Sequence, residues 1–134
     1  MDEKPKALLA MHDERWQKIF TRSLNRAGYE VISAQSVDEM LEKMGIPQNA
    51  GPAASPINQF IWYIMDTNLG SPNNYSYEPV LRIYRHIQDS VEKKEVYFMS
   101  LTGNNQSINE AKKAGIPCMD KCDGADLTDI IENS

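Results

Sequence analysis

Apolar and polar residues follow two different periodicities along this chain. Five short, mostly apolar runs predict buried strands at 6–11, 29–34, 60–65, 95–101 and 117–120. The run at 60–65 has no polar alternation, which is typical of a strand whose two faces are both covered. The pattern therefore predicts a sheet that is buried between two layers.

Between these runs, apolar residues recur every three or four positions, as on one face of a helix. The first such stripe comprises Trp16, Ile19, Phe20, Leu24 and Ala27. Gly28 follows this stripe, and glycine is the residue best suited to end a helix.

Capping signals and further stripes predict the remaining helices. Ser36 and Glu39 form a capping box that opens a helix through Met44, and Ser107 and Glu110 form a second capping box. Two stripes complete the set: Val80, Ile83, Tyr84, Ile87 and Val91 in one helix, and Leu127, Ile130 and Ile131 in the last. Strand and helix thus alternate five times, which predicts a parallel sheet with right-handed crossovers and helices on both faces.

Two segments depart from this alternation. The segment 46–58 contains three prolines and no periodicity, so we expect a loop insertion there, within a single domain that spans 1–134. The segment 67–79 is a second long loop, in which Tyr75 and Tyr77 are expected to rest on the surface. Partner docking by these two tyrosines is the alternative. Trp62, in the middle of a strand, is expected in the core.

Composition and charge narrow the range of functions. The net charge is -5, so non-specific binding to nucleic acid is not expected. No apolar run approaches the roughly 18 residues of a membrane span, and no signal-peptide core follows the N-terminus. We therefore expect a cytoplasmic protein. Cys118 and Cys122 lack the spacing of a redox or zinc motif and are expected to be ordinary thiols.

Polar side chains stand directly after four of the five predicted strands. In a doubly wound sheet, ligands bind beyond the carboxyl ends of the strands, so these residues are expected to share one edge. They are His12, Asp13 and Glu14 after the first strand, Asp66 and Asn68 after the third, Thr102 and Gly103 after the fourth, and Lys121 after the fifth.

This set of side chains suits a phosphoryl group and a hard cation. Two carboxylates about 4 Å apart repel by about 4 kcal/mol at an effective dielectric near 20, and Mg²⁺ relieves that repulsion. An ammonium group and a hydroxyl group can stabilise phosphoryl oxygens. Asp66 is the available nucleophile, because a carboxylate can form an aspartyl phosphate.

These motifs resemble the receiver domain of two-component response regulators, the chemotaxis-regulator-like fold. LLAMHDE is similar to the family's first strand and acidic cluster, and IMDTNLG to its third strand and phospho-accepting aspartate. FMSLTG is similar to the fourth strand, and AGIPCMDK to the fifth strand with its lysine. The resemblance implies a (βα)5 α/β fold: a doubly wound, flavodoxin-like sheet of five parallel strands in the order 2-1-3-4-5.

For individual residues, the resemblance implies phosphorylation of Asp66 by a sensor histidine kinase or a phosphotransfer protein. The implied Mg²⁺ ligands are Asp13, Asp66 and the backbone carbonyl of Asn68. The other implied roles are a hydrogen bond from Thr102 to the phosphoryl oxygens, space for them beside Gly103, and an ion pair between Lys121 and the phosphate.

The resemblance further implies a signalling domain and not an enzyme, with at most self-catalysed phosphorylation and dephosphorylation. The signal would leave through the face built from the fourth helix, fifth strand and fifth helix, towards a downstream protein or an output domain. A homodimer through that face is an open alternative. Neither direct nucleic-acid binding nor membrane binding is implied.

Three positions depart from the family pattern. His12 replaces one of two adjacent acids, Cys118 replaces an aromatic residue, and Cys122 replaces a proline. These departures favour the alternative of a pseudo-receiver, an interaction module without phosphotransfer. An enzyme on the same architecture is disfavoured because the chain has no glycine-rich phosphate motif, and Asn68 stands where a second aspartate would act as general acid.

Overall fold

Five parallel strands form one sheet with helices on both faces. The computed structural model describes residues 4–47, 49–51, 54–67, 69, 77–103 and 105–133. The elements are β1 (Lys6–Ala10), α1 (Glu14–Arg26), β2 (Glu30–Ser33), α2 (Val37–Met44), β3 (Trp62–Asp66), α3 (Glu78–Glu92), β4 (Tyr97–Thr102), α4 (Asn105–Ala114), β5 (Cys118–Asp120) and α5 (Gly124–Glu132). The strand order is β2-β1-β3-β4-β5, and every pairing is parallel. The predicted fold class and strand order are confirmed.

Two apolar cores cover the two faces of the sheet. On one face, α1 and α5 bury Phe20, Leu24 and Leu127 against strand residues such as Leu9 and Ile64. On the other face, α2, α3 and α4 supply the helix side of the core, with Met40, Ile83 and Ala111. Each fully buried leucine or isoleucine contributes about 2 kcal/mol of transfer free energy, so the sheet is held by burial on both sides.

Local sequence signals set the start and the end of α2. Ser36 accepts a hydrogen bond from the amide of Glu39 at 3.0 Å, which confirms the predicted start of α2. Gly45 follows α2 with φ +76, in the left-handed region that glycine adopts at low cost.

The buried face of α1 differs from the predicted stripe at one position. Ile19, which belongs to that stripe, is 43% exposed, whereas Ser23 is buried.

The start of α4 differs from the prediction. The helix begins at Asn105, so Ser107 lies inside it and does not cap it. Ser107 is buried, and packing of the helix against the rest of the protein has overridden the local capping signal.

The predicted insertion packs on the helices of one face. Its described part contains no strand or helix. Asn58 donates from its side chain to the carbonyl of Lys43 at 2.9 Å, and its amide donates to Met44 at 3.0 Å. The imidazole of His86 in α3 lies 2.7 Å from the carbonyl oxygen of Ala54. The described segment is therefore tied to both α2 and α3.

The longest helix, α3, has 15 residues. Among the residues that the structure describes, no helix combines the length and the apolar character needed to cross a membrane.

Candidate functional site

The register of the sheet brings the ends of β3, β4 and β5 to one edge. Asp66 at the end of β3 is level with Leu101 of β4, and Leu101 is level with Met119 of β5. One step further along, Thr102 is level with Asp120. Residues that follow these positions therefore project from the same edge, where ligands bind in sheets of this type.

Asp66 is a fully buried carboxylate at this edge, with an exposed fraction of 0%. Its Oδ2 atom accepts a hydrogen bond of 2.6 Å from the backbone amide of His12. Its Oδ1 atom lies 2.7 Å from the Nζ atom of Lys121. This contact is a close ion pair that compensates the buried charge of Asp66.

Lys121 is held in place by the short turn that follows β5. Asp120 accepts a hydrogen bond of 2.8 Å from the amide of Cys122, and residues Lys121–Asp123 form one turn of 3-10 helix. The side chain of Lys121 is 25% exposed and thus partly accessible to water, whereas Asp66 is fully buried.

Behind this turn, α5 begins in direct contact with α1. A Cβ atom at Gly124 would overlap the ring of Trp16, so the close approach of the two helices requires glycine. Trp16 in turn stacks on Phe20 with ring centroids 5.3 Å apart. This packing connects the segment that carries Lys121 to the helix that Asp13 begins.

Asp13 lies next to the residue that binds Asp66. Its Oδ1 atom accepts a hydrogen bond of 2.9 Å from the amide of Arg15, so Asp13 is the N-cap of α1. Its charge is favoured there by the helix dipole. The neighbouring side chain of His12 is exposed, and only its backbone contacts Asp66.

Thr102 and Gly103 complete the described edge. Thr102 is buried at the end of β4. A Cβ atom at Gly103 would meet no atom within 4 Å, so there is open space beside it. Asn68, the third predicted metal ligand, lies outside the described residues.

The structure thus brings Asp66 and Lys121 into contact, with Asp13 one residue from the amide that binds Asp66. Within the described ranges, no three His, Cys, Asp or Glu side chains form a metal-binding cluster. A hard cation here would be held by few protein oxygens and several waters, which is a mode that suits Mg²⁺. Asp66, a buried carboxylate at this edge, supplies an oxygen of the kind that Mg²⁺ binds.

The two thiols near this edge are poor ligands and nucleophiles. Burial raises the pKa of Cys118, and the hydrogen bond to Asp120 raises the pKa of Cys122. Both groups remain protonated near neutral pH, whereas metal binding and nucleophilic attack need the thiolate.

Sequence reasoning missed two contributors to this region. The amide of His12 has no signal in the sequence, because any non-proline residue carries the same donor. Tyr77, predicted on the surface, is buried, with 5% of its area exposed. Its position one residue before Glu78 and Pro79, which open α3, is the signal that could have placed it at a helix start. Tyr75 lies outside the described residues.

Solved structures share this architecture, although no protein-family model and no curated protein sequence matches the chain. A response regulator receiver domain protein from Clostridium thermocellum is 20% identical, with a TM-score of 0.63, and the match covers 96% of this chain and 92% of that one. A CheY-like receiver domain protein from Methanospirillum hungatei is 17% identical, with a TM-score of 0.61 and coverage of 98% and 93%. The chain has the receiver-domain fold.

A third structure with the receiver fold carries a modified site. It is a response regulator protein from Burkholderia pseudomallei with a phosphorylated aspartic acid, a calcium ion and citrate. It is 22% identical to this chain, with a TM-score of 0.56, and the match covers 87% of this chain. This chain spans 59% of the length of that protein.

Proposed function

We propose that this chain is a response regulator receiver domain that accepts a phosphoryl group on Asp66. The observation that carries the proposal is the placement of Asp66: a buried carboxylate at the end of β3, between the amide of His12 at 2.6 Å and the ammonium of Lys121 at 2.7 Å. A buried carboxylate beside one cation, at the ligand-binding edge of this fold, is poorly explained by a structural role alone.

The phosphoryl donor is a phosphohistidine on a sensor histidine kinase or a phosphotransfer protein. A carboxylate oxygen of Asp66 attacks the phosphorus atom, so an O–P bond forms while the P–N bond to the donor imidazole breaks. The imidazole leaves with the bonding electron pair and takes up a proton. Lys121 then pairs with a phosphoryl oxygen, and Thr102 donates its hydroxyl to another.

Asp13, Asp66 and the carbonyl of Asn68 would hold Mg²⁺ at this site. When bound, the cation neutralises the carboxylates and the incoming phosphoryl oxygens. The open space beside Gly103 accommodates those oxygens.

The outcome of phosphorylation is a change in a partner-binding face. Lys121, directly after β5, exchanges its carboxylate partner for a phosphoryl oxygen, and β5 lies between α4 and α5 in chain order. The face formed by α4, β5 and α5 would therefore report the state of Asp66 to a downstream protein, an output domain or a second copy. The domain acts as a cytoplasmic signalling unit and has no separate substrate to turn over.

A pseudo-receiver is the second candidate. It is favoured by the exposed side chain of His12 at a position where the family has an acid, which leaves Asp13 as the neighbouring carboxylate. In that case the fold would bind partners without accepting phosphate.

Intact-mass measurement after incubation with acetyl phosphate and Mg²⁺ separates the two candidates. We expect the wild-type chain to gain the mass of one phosphoryl group, in an adduct that is stable to acid and labile to base. Asp66→Asn should abolish the adduct, whereas Asp89→Asn, at an exposed aspartate of α3, should retain it. An unmodified wild-type protein would favour the pseudo-receiver, and an adduct on Asp66→Asn would disprove the assignment of Asp66.

A further inference from the structure

Tyr77 directly precedes α3 and is buried in the core. Tyr77 ends the connection that begins at Asp66, and its side chain is 5% exposed. Its hydroxyl oxygen lies 3.4 Å from Oγ of Ser100 in β4. The residue that precedes α3 is therefore anchored to β4.

The hydrogen bond has a definite direction. Ser100 has one hydroxyl hydrogen, and it donates that hydrogen to the carbonyl of Pro117 at 2.9 Å. When Ser100 makes that bond, Tyr77 is the donor in its contact with Ser100. The result is a relay that runs from Tyr77 through Ser100 to Pro117, in which each bond polarises the next.

The relay ends at Pro117, directly before β5, and Lys121 directly follows that strand. Pro117 precedes β5, and its carbonyl also accepts the amide of Ser100 at 3.2 Å. β5 has only three residues and pairs only with β4 in the sheet, since it is the edge strand. With few pairing residues of its own, this short strand depends on the contacts of Pro117, the residue directly before it.

We propose that Tyr77 is a positioning residue, whose hydroxyl relay through Ser100 to Pro117 holds β5 in register and so places the ammonium of Lys121 against Asp66. The role of this ion pair in phosphoryl transfer rests on the proposed function.

Competitive acylation of lysines, read by mass spectrometry, tests the proposal without phosphorylation. The ion pair with Asp66 protects Lys121, and the exposed Lys112 and Lys113 of α4 serve as internal standards. Tyr77→Phe keeps the ring and removes the hydroxyl, and Ser100→Ala breaks the relay in its middle. Each should raise the labelling of Lys121 by about threefold to tenfold, the factor expected for loss of one neutral hydrogen bond.

Tyr84→Phe is the matched control. Tyr84 is also a buried tyrosine of this core, and its ring packs edge-on against Phe98. It should leave the labelling of Lys121 unchanged even if it lowers the free energy of unfolding. Asp66→Asn sets the upper limit of labelling. Wild-type protection of Lys121 in both Tyr77→Phe and Ser100→Ala would overturn the proposal, as would an equal increase in Tyr84→Phe.

The rate of adduct formation with acetyl phosphate and Mg²⁺ is the second measurement. Tyr77→Phe should slow it, and Tyr84→Phe should not. If the wild-type chain forms no adduct while Tyr77→Phe still exposes Lys121, the proposed function fails and the positioning of Lys121 stands. If the adduct forms at the same rate in the wild type and in Tyr77→Phe, and Lys121 stays protected in Tyr77→Phe, the positioning role fails and the proposed function stands.

Discussion

Lys121 and Asp66 form an ion pair of 2.7 Å in which the two partners have very different access to water. Asp66 is fully buried, whereas the side chain of Lys121 is 25% exposed. The carboxylate depends on the ammonium for its charge compensation, but the ammonium can turn towards solvent. This asymmetry matters because the proposed phosphoryl group must separate the two groups.

The asymmetry predicts unequal costs for removing the two partners. Lys121→Met leaves a buried carboxylate without a cation and should lower the free energy of unfolding by about 3 kcal/mol. Asp66→Asn should lower the free energy of unfolding clearly less, because Lys121 can move into water. Urea denaturation measures both, with Lys113→Met, at an exposed position of α4, as the control. The double variant Asp66→Asn/Lys121→Met should recover most of the loss, and equal costs for the two single variants would contradict this account.

The contact between α1 and α5 makes Gly124 intolerant of any side chain. Gly124→Ala would place a Cβ atom against the Trp16 ring and should lower the free energy of unfolding by about 1 to 3 kcal/mol, the usual cost of overpacking. Gly51→Ala is the matched control, because a Cβ atom there meets nothing within 4 Å. A shift of the melting temperature in Gly124→Ala no larger than in Gly51→Ala would refute the steric argument.

Tyr77 should make stability depend on pH in the alkaline range. Burial raises the pKa of its hydroxyl to about 12, whereas the pKa of a tyrosine in the unfolded chain is about 10. As the pH rises from about 10 to about 12, the unfolded chain releases a proton that the folded chain retains, so the free energy of unfolding falls. Urea denaturation of wild type and Tyr77→Phe across this range isolates the effect as their difference. A difference that does not change with pH would be inconsistent with a buried neutral hydroxyl.

The two residues that follow Met11, His12 and Asp13, predict how substitutions will change the affinity for Mg²⁺. Asp13→Asn removes a proposed Mg²⁺ ligand and should weaken binding, whereas His12→Asp adds a carboxylate and should tighten it several-fold. Trp16, in the first turns of α1, is a suitable fluorescent reporter for a Mg²⁺ titration, while Trp62 is buried in the core. Unchanged affinity in both variants would place the metal elsewhere or favour the pseudo-receiver.

Much of the architecture could be predicted from local patterns. The apolar run before Asp66 predicted a strand covered on both faces, and β3 is buried at every residue. The capping box at Ser36 and the glycine after α1 marked helix boundaries correctly, because these signals act within one turn of the chain. Where a local signal competed with packing, as at Ser107, it failed.

The sequence by itself determined which chemical groups follow each strand, because the alternation of strands and helices places every strand end at one edge. It could not determine that Asp66 contacts the amide of His12 and the ammonium of Lys121, or that the hydroxyl of Tyr77 contacts Ser100 in the core. These contacts join residues from 23 to 55 positions apart. Only the register of the strands and the packing of both cores bring them within bonding distance, and both arise from burial summed over the whole domain.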